Sequence, residues 1–184
     1  MTFSNDEARA NRQPLYFAEA ETLQLTTDQA KLLASIRRCV ADPALSCLLP
    51  EGTLAELDDS GRLLLQIKNR RDPRVGVEIY VDQDDEISVV SEAMHPGFWL
   101  MFNSKWEPDD SLGDLDDAAE AICGLLHGRL ESEVLWGGNV IARSKDVLVT
   151  EAGHRKVLAT RCHADGLLAC LTGRRREVRR LTFS

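Results

Sequence analysis

Histidines and thiols are where chemistry would start in this chain, and their spacing is that of isolated residues. His95, His127, His154 and His163 share no metal-ligand spacing, and the side chains of the neighbours Cys162 and His163 diverge rather than converge on one ion. No metal is expected. A cysteine nucleophile needs a base and an orienting group within reach. A site assembled from scattered residues would draw on His95, Asp109 and Cys123, which no local spacing brings together. Cys123 lies just off the apolar stripe of a helix and reads as a small core residue. Asp82-Gln-Asp-Asp-Glu86 begins like a calcium loop, but Ile87 stands where the sharp turn needs glycine and Ala93 where a bidentate glutamate belongs. It reads as a solvated hairpin tip. Gly137 and Gly138 are hairpin glycines, because no strand-to-helix junction carries a dinucleotide or P-loop glycine pattern. No catalytic residue and no cofactor is therefore assigned.

Two surface features remain as candidates for contact with another protein. Asp109, Asp110, Asp114, Asp116 and Asp117 form an acidic group; the helix dipole accounts for the last three, leaving Asp109 and Asp110 unassigned. The tryptophans are Trp99, Trp106 and Trp136, and most tryptophans are core anchors. Trp99, however, alternates with Phe98, Leu100 and Phe102, so a strand here is apolar on both faces and one face needs a second cover. Either a helix at 26–41 supplies it or another chain does, and a domain covers its own apolar sheet faces first. Asp109, Asp110, Trp99 and Trp106 are the partner-binding candidates.

The elements that must position these residues are clearest in the middle of the chain. Leu115, Ala118, Ala119, Ile122 and Leu126 follow the 3.6-residue period of a helix over 114–127. Asp114 stands at the N-cap position and Gly128 where a left-handed C-terminal residue is wanted. Before it, Leu63 to Ile67, the alternating Val75 to Val81 and Ile87 to Val90 read as antiparallel strands joined by short loops. Gly97 to Phe102 reads as a central strand or one covered on its outer face. After the helix, Glu133 to Trp136 and Val140 to Arg143 flank a Gly137-Gly138 hairpin. Upstream, Thr26 and Gln29 make a capping box for a helix carrying Leu32, Leu33, Ile36 and Val40, which must stop before Asp42-Pro43. Residues 44–60 leave a short helix, strand and turn all open.

The fold class is α+β: one antiparallel sheet of five to seven strands with helices on one face, in the order helix, three or four strands, helix, hairpin, C-terminal extension. The 184 residues divide into a flexible arm over 1–20 that can dock Leu15, Tyr16 and Phe17, an α+β domain over 21–153, and a basic extension over 154–184 packed on the same domain. Five cysteines, an odd number, suit reduced thiols, and no stretch approaches the roughly 18 apolar residues of a membrane span, so a cytoplasmic protein without membrane contact is expected. Net charge is -8. Residues 154–184 hold eight Lys and Arg against two acidic residues, +6, so residues 1–153 carry -14. That acidic body disfavours nucleic acid. In the last stretch Val178, Arg180 and Thr182 alternate with Glu177, Arg179, Leu181 and Phe183, as in a solvent-facing edge strand.

Gly97-Phe98-Trp99 closing a strand, a helix ending Leu125-Leu126-His127-Gly128-Arg129 and then a hairpin resemble small bacterial α+β domains of uncharacterised or toxin-immunity type. The resemblance covers about half the chain and implies a non-catalytic protein that binds and blocks a partner. The order helix, strands, helix, strands also looks like the acidic, dimeric chaperones of type III secretion, although the Phe98 to Phe102 strand and the basic tail depart from them. A protein-binding module is the expectation from these residues. A homodimer through the Trp99 face or the C-terminal edge, and an enzyme with a dispersed site, are the other classes.

Overall fold

The structure, a computed structural model, describes residues 15–72, 75–83, 86–91, 93–102, 115–162 and 174–181. It is α+β, with two α-helices, α1 (Thr27–Val40) and α2 (Leu115–Leu126), and two antiparallel sheets. The first sheet is a five-stranded meander in chain order: β1 (Thr53–Leu57), β2 (Leu63–Lys68), β3 (Gly76–Val81), β4 (Ile87–Val90) and β5 (Trp99–Phe102). Four further strands, β6 (Leu130–Gly137), β7 (Val140–Val149), β8 (Arg155–Cys162) and β9 (Arg174–Arg180), form the second in the order β8-β7-β6-β9.

Local signals in the sequence account for most of the boundaries. Thr26 caps α1 as expected: its hydroxyl accepts from the Gln29 amide at 3.2 Å, and its own amide donates to Gln29 Oε1 at 3.0 Å. The Gln29 side-chain amide nitrogen also donates to the Gly61 and Val81 carbonyls, which ties the start of α1 to the turn before β2 and to the end of β3. At the other end of the second helix Gly128 takes φ 69°, and the Arg129 amide returns to the Gly124 carbonyl at 2.7 Å, closing α2 with a left-handed cap. The undecided stretch 44–60 holds two short 3-10 turns, Pro43–Leu45 and Pro50–Gly52, followed by β1. Residues 15–20 are held in place, so the folded part begins before residue 21. Phe17 is fully buried at φ 54°; its amide donates to the Thr53 hydroxyl, and the Arg37 guanidinium donates to the Tyr16 and Phe17 carbonyls. A left-handed non-glycine backbone costs about 1–2 kcal/mol, which three hydrogen bonds and the burial of a phenyl ring offset. Leu15 remains exposed.

One core spans the described residues. Leu65, Ile67, Ile79, Val89 and Phe102 project from one side of the meander and join Leu32 and Ile36 of α1 and Ile122 and Leu125 of α2 in a single cluster. The expected single sheet of five to seven strands is corrected to two sheets, five and four strands. The reason is α2: it lies against β4 and β5 on one side and β6 and β7 on the other, so the chain leaves the first sheet through the helix and starts a second one beyond it. Contact with both sheets also widens the buried side of α2. Ala121, Gly124 and Leu125 are buried besides the expected Ala118, Ile122 and Leu126, while Leu115 and Ala119 are only partly covered.

Two smaller expectations are also corrected. Gly137 pairs with Val140, so the hairpin loop is Gly138-Asn139 rather than Gly137-Gly138, with Gly138 supplying the positive φ of 59° at its first position. β5 is neither central nor covered on its outer face; it is the last strand of its sheet, and Trp99 is 41% exposed. α2 lies against β4 and β5, and Leu100 and Phe102, not Trp99, join the core cluster to which α1 contributes.

Candidate functional site

Where the two sheets meet, the chain buries a polar seam. Ser132 on β6, Ser144 and Asp146 on β7 and Arg161 on β8 project from one face of the second sheet, because Ser132 pairs with Asp146 and Ser144 with Arg161 across the ladders. His95, in the connection between β4 and β5, points at them. Asp146 is fully buried: one carboxylate oxygen accepts from the Ser132 hydroxyl at 2.6 Å and the other pairs with the Arg161 guanidinium at 2.8 Å. Arg161 also donates to the Trp99 carbonyl of β5, and Arg179 to the Met94 carbonyl in the connection before it, so both arginines fasten the second sheet to the end of the first. His95 Nε2 stands 3.9 Å from the Asp146 carboxylate, too far for a hydrogen bond, while its Nδ1 lies 3.0 Å from the Pro96 carbonyl. The imidazole edge packs against the Phe98 ring, with centroids 5.5 Å apart.

A serine, a carboxylate and a histidine share this seam, but they are not arranged for nucleophilic catalysis. The serine bonds the carboxylate directly, the histidine bonds neither, and all three are at most 1% exposed. What the arrangement does is neutralise one buried carboxylate with one guanidinium that also holds the Trp99 carbonyl of the first sheet.

The dispersed enzyme site is not brought together here. Cys123 sits on α2 with its thiol against Cys39 of α1, while His95 lies in the seam; Asp109 is outside the described residues. The hydrogen bond from Cys39 pulls the Cys123 thiol below the ordinary cysteine range, assisted by Arg129 and Arg38 and opposed by burial. The same hydrogen bond and burial push Cys39 upward. Of the partner-binding candidates, Trp99 stands exposed at a sheet edge, and Asp110 and Trp106 lie with Asp109 outside the described residues. Trp136 faces the seam side of the second sheet, its indole donating to Glu177 and its ring flanked by Arg175 and Arg179.

The other surface is the outward face of the second sheet, of which single elements show only the β9 part. Among the described residues six cations project there from three strands, Arg143 and Lys145 of β7, Arg155 of β8 and Arg174, Arg176 and Arg180 of β9, against two carboxylates of β6, Glu131 and Glu133. Arg155 and Arg180 pair with Glu131, and Arg155 and Arg176 with Glu133. A groove of about 290 Å³ runs over this face, lined by Glu133, Val134, Leu135, Arg143, Lys145 and Arg176. Val157 and Val178 are half exposed beside the charges. The sequence signal was the period-2 alternation within β9, which separates Arg174, Arg176 and Arg180 from Arg175 and Arg179.

No family model, curated protein or solved structure matches this chain. Among the described residues no helix is long and apolar enough to cross a membrane.

Proposed function

We propose that this chain is a non-catalytic protein-binding module, acting in the cytoplasm by engaging a partner protein and blocking it in the manner of bacterial immunity proteins. One observation carries this reading: each sheet keeps an open face that presents apolar side chains to solvent, with Trp99 41% exposed on the first and Val157 and Val178 at 50% and 53% on the second. Residues of that kind in a folded domain gain most from being covered by another protein. The polar interior supports the same reading, since the Asp146 carboxylate is engaged by Ser132 and Arg161 rather than turned toward a cavity.

The test is affinity capture from a native lysate at low and at physiological salt, followed by reconstitution with the purified partner and light scattering of the complex. A defined stoichiometric complex that weakens on Trp99→Ala or on charge removal from the second sheet is the expected result. A chain that captures nothing at either salt concentration, and scatters as a monomer with every lysate fraction, refutes the reading.

A further inference from the structure

We infer that the outward face of the four-stranded sheet docks an acidic stretch of a partner protein in which carboxylates alternate with aliphatic side chains, seated in the groove between Arg143 and Arg176. This rests on the reading of the chain as a protein-binding module and adds where the contact is made and what chemistry it selects. Arg143 on β7 and Arg176 on β9 both stand directly opposite Leu135 of β6, so the three form one row across the sheet. With neighbouring strands about 4.8 Å apart, the two arginines begin about 10 Å from each other with the leucine as a floor between them. In the next row Lys145 and Val178 flank Glu133. Among the described residues Arg143 and Lys145 have no carboxylate partner, whereas Glu133 is already shared by Arg155 and Arg176. Among the described residues the groove therefore offers two cations without a carboxylate partner, Arg143 and Lys145, beside the Leu135 side chain.

Six cations against two carboxylates give this face +4 in a chain whose total is -8, so its sign is opposite to that of the rest of the molecule. An anionic partner is steered here and repelled elsewhere. Guanidinium forks suit carboxylates and phosphates alike, and the neighbours decide between them. Leu135 in the floor of the groove and Val178 one row along on β9 offer alkyl contacts beside the cations. No aromatic side chain stands on this face among the described residues to stack a base, because Trp136 faces the seam.

The probes are a fluorescein-labelled synthetic peptide alternating glutamate and valine, and a labelled single-stranded DNA of equal charge, titrated by fluorescence anisotropy. Saturable peptide binding that weakens as salt rises is expected. It should fall about tenfold or more in the Arg143→Gln/Lys145→Gln/Arg176→Gln variant and stay within about twofold in the control Lys31→Gln/Arg38→Gln/Lys68→Gln, which removes the same charge from other surfaces. Circular dichroism and thermal melting of both variants establish that they fold; all six positions are exposed or partly exposed. The inference is overturned if the wild type shows no saturable peptide binding, if both variants lose it equally, or if the DNA binds as tightly as the peptide. If one of these results is found while the wild-type chain still captures a stoichiometric protein from lysate, the docking site is wrong and the binding-module reading stands.

Discussion

Replacing Asp146 by alanine tests the account of the seam directly. The carboxylate has no solvent exposure, takes a hydrogen bond from Ser132 at 2.6 Å and faces the Arg161 guanidinium at 2.8 Å. Removing one member of a fully buried ion pair costs about 3–5 kcal/mol, because the other charge is left without its partner. Arg161 keeps 25% of its side chain in solvent and retains the Trp99 carbonyl, so part of that cost is screened. The Ser132 hydroxyl, by contrast, is left in the interior without an acceptor, at about 1 kcal/mol. Together these give about 2–4 kcal/mol, and at about 2–4 °C per kcal/mol for a chain of this size a fall in Tm of roughly 4–16 °C. Urea unfolding followed by circular dichroism measures the free energy, and the Asp146→Ala/Arg161→Ala double variant completes the cycle. The double variant should lose less than the sum of the two singles by about 1 kcal/mol or more. Lys31→Ala, at an exposed pair with Asp28, is the control and should change stability by under about 0.5 kcal/mol. A loss below about 1 kcal/mol for Asp146→Ala, or additive single effects, refutes the claim that this buried pair stabilises the seam.

Glu131 is pushed up by burial, but hydrogen bonds and charge from Arg180 and Arg155 outweigh this and hold its carboxyl below the ordinary 4.5. The stabilisation is therefore complete above pH 4.5 and is lost as pH falls through the depressed folded-state value, so the stability gap between wild type and Glu131→Gln should be constant near neutrality and close in acid; a gap that widens in acid contradicts it. Gly124→Ala should destabilise by about 1–3 kcal/mol in thermal melts despite the better helix propensity of alanine, because a Cβ there runs into the buried Leu148 side chain; a gain in Tm refutes the close approach of α2 to β7. In the intact protein Cys123 should be alkylated by iodoacetamide at lower pH than Cys39, since its thiolate is favoured by the Cys39 hydrogen bond and by Arg129; peptide mapping that finds Cys39 modified first contradicts this order.

The sequence by itself determined the local elements, because the signals that set them act within a few residues. Thr26 and Gln29 start α1, Gly128 ends α2, and the alternation of Val77, Ile79 and Val81 fixes which side of β3 is buried. Only the tertiary structure decided how many sheets there are and what lies between them. The pairing of β9 with β6 joins residues about forty positions apart, such as Glu133 and Val178, and no local pattern encodes it. The seam and the cationic face are products of that pairing. Asp146 and Ser132 look like ordinary polar strand residues until β6 and β7 set them opposite each other, and Arg161 until β8 joins the ladder. Likewise, residues of four strands acquire a shared +4 face only when their ladders are in register, since side-chain direction alternates along each strand and a shift of one residue would send the arginines to the opposite side.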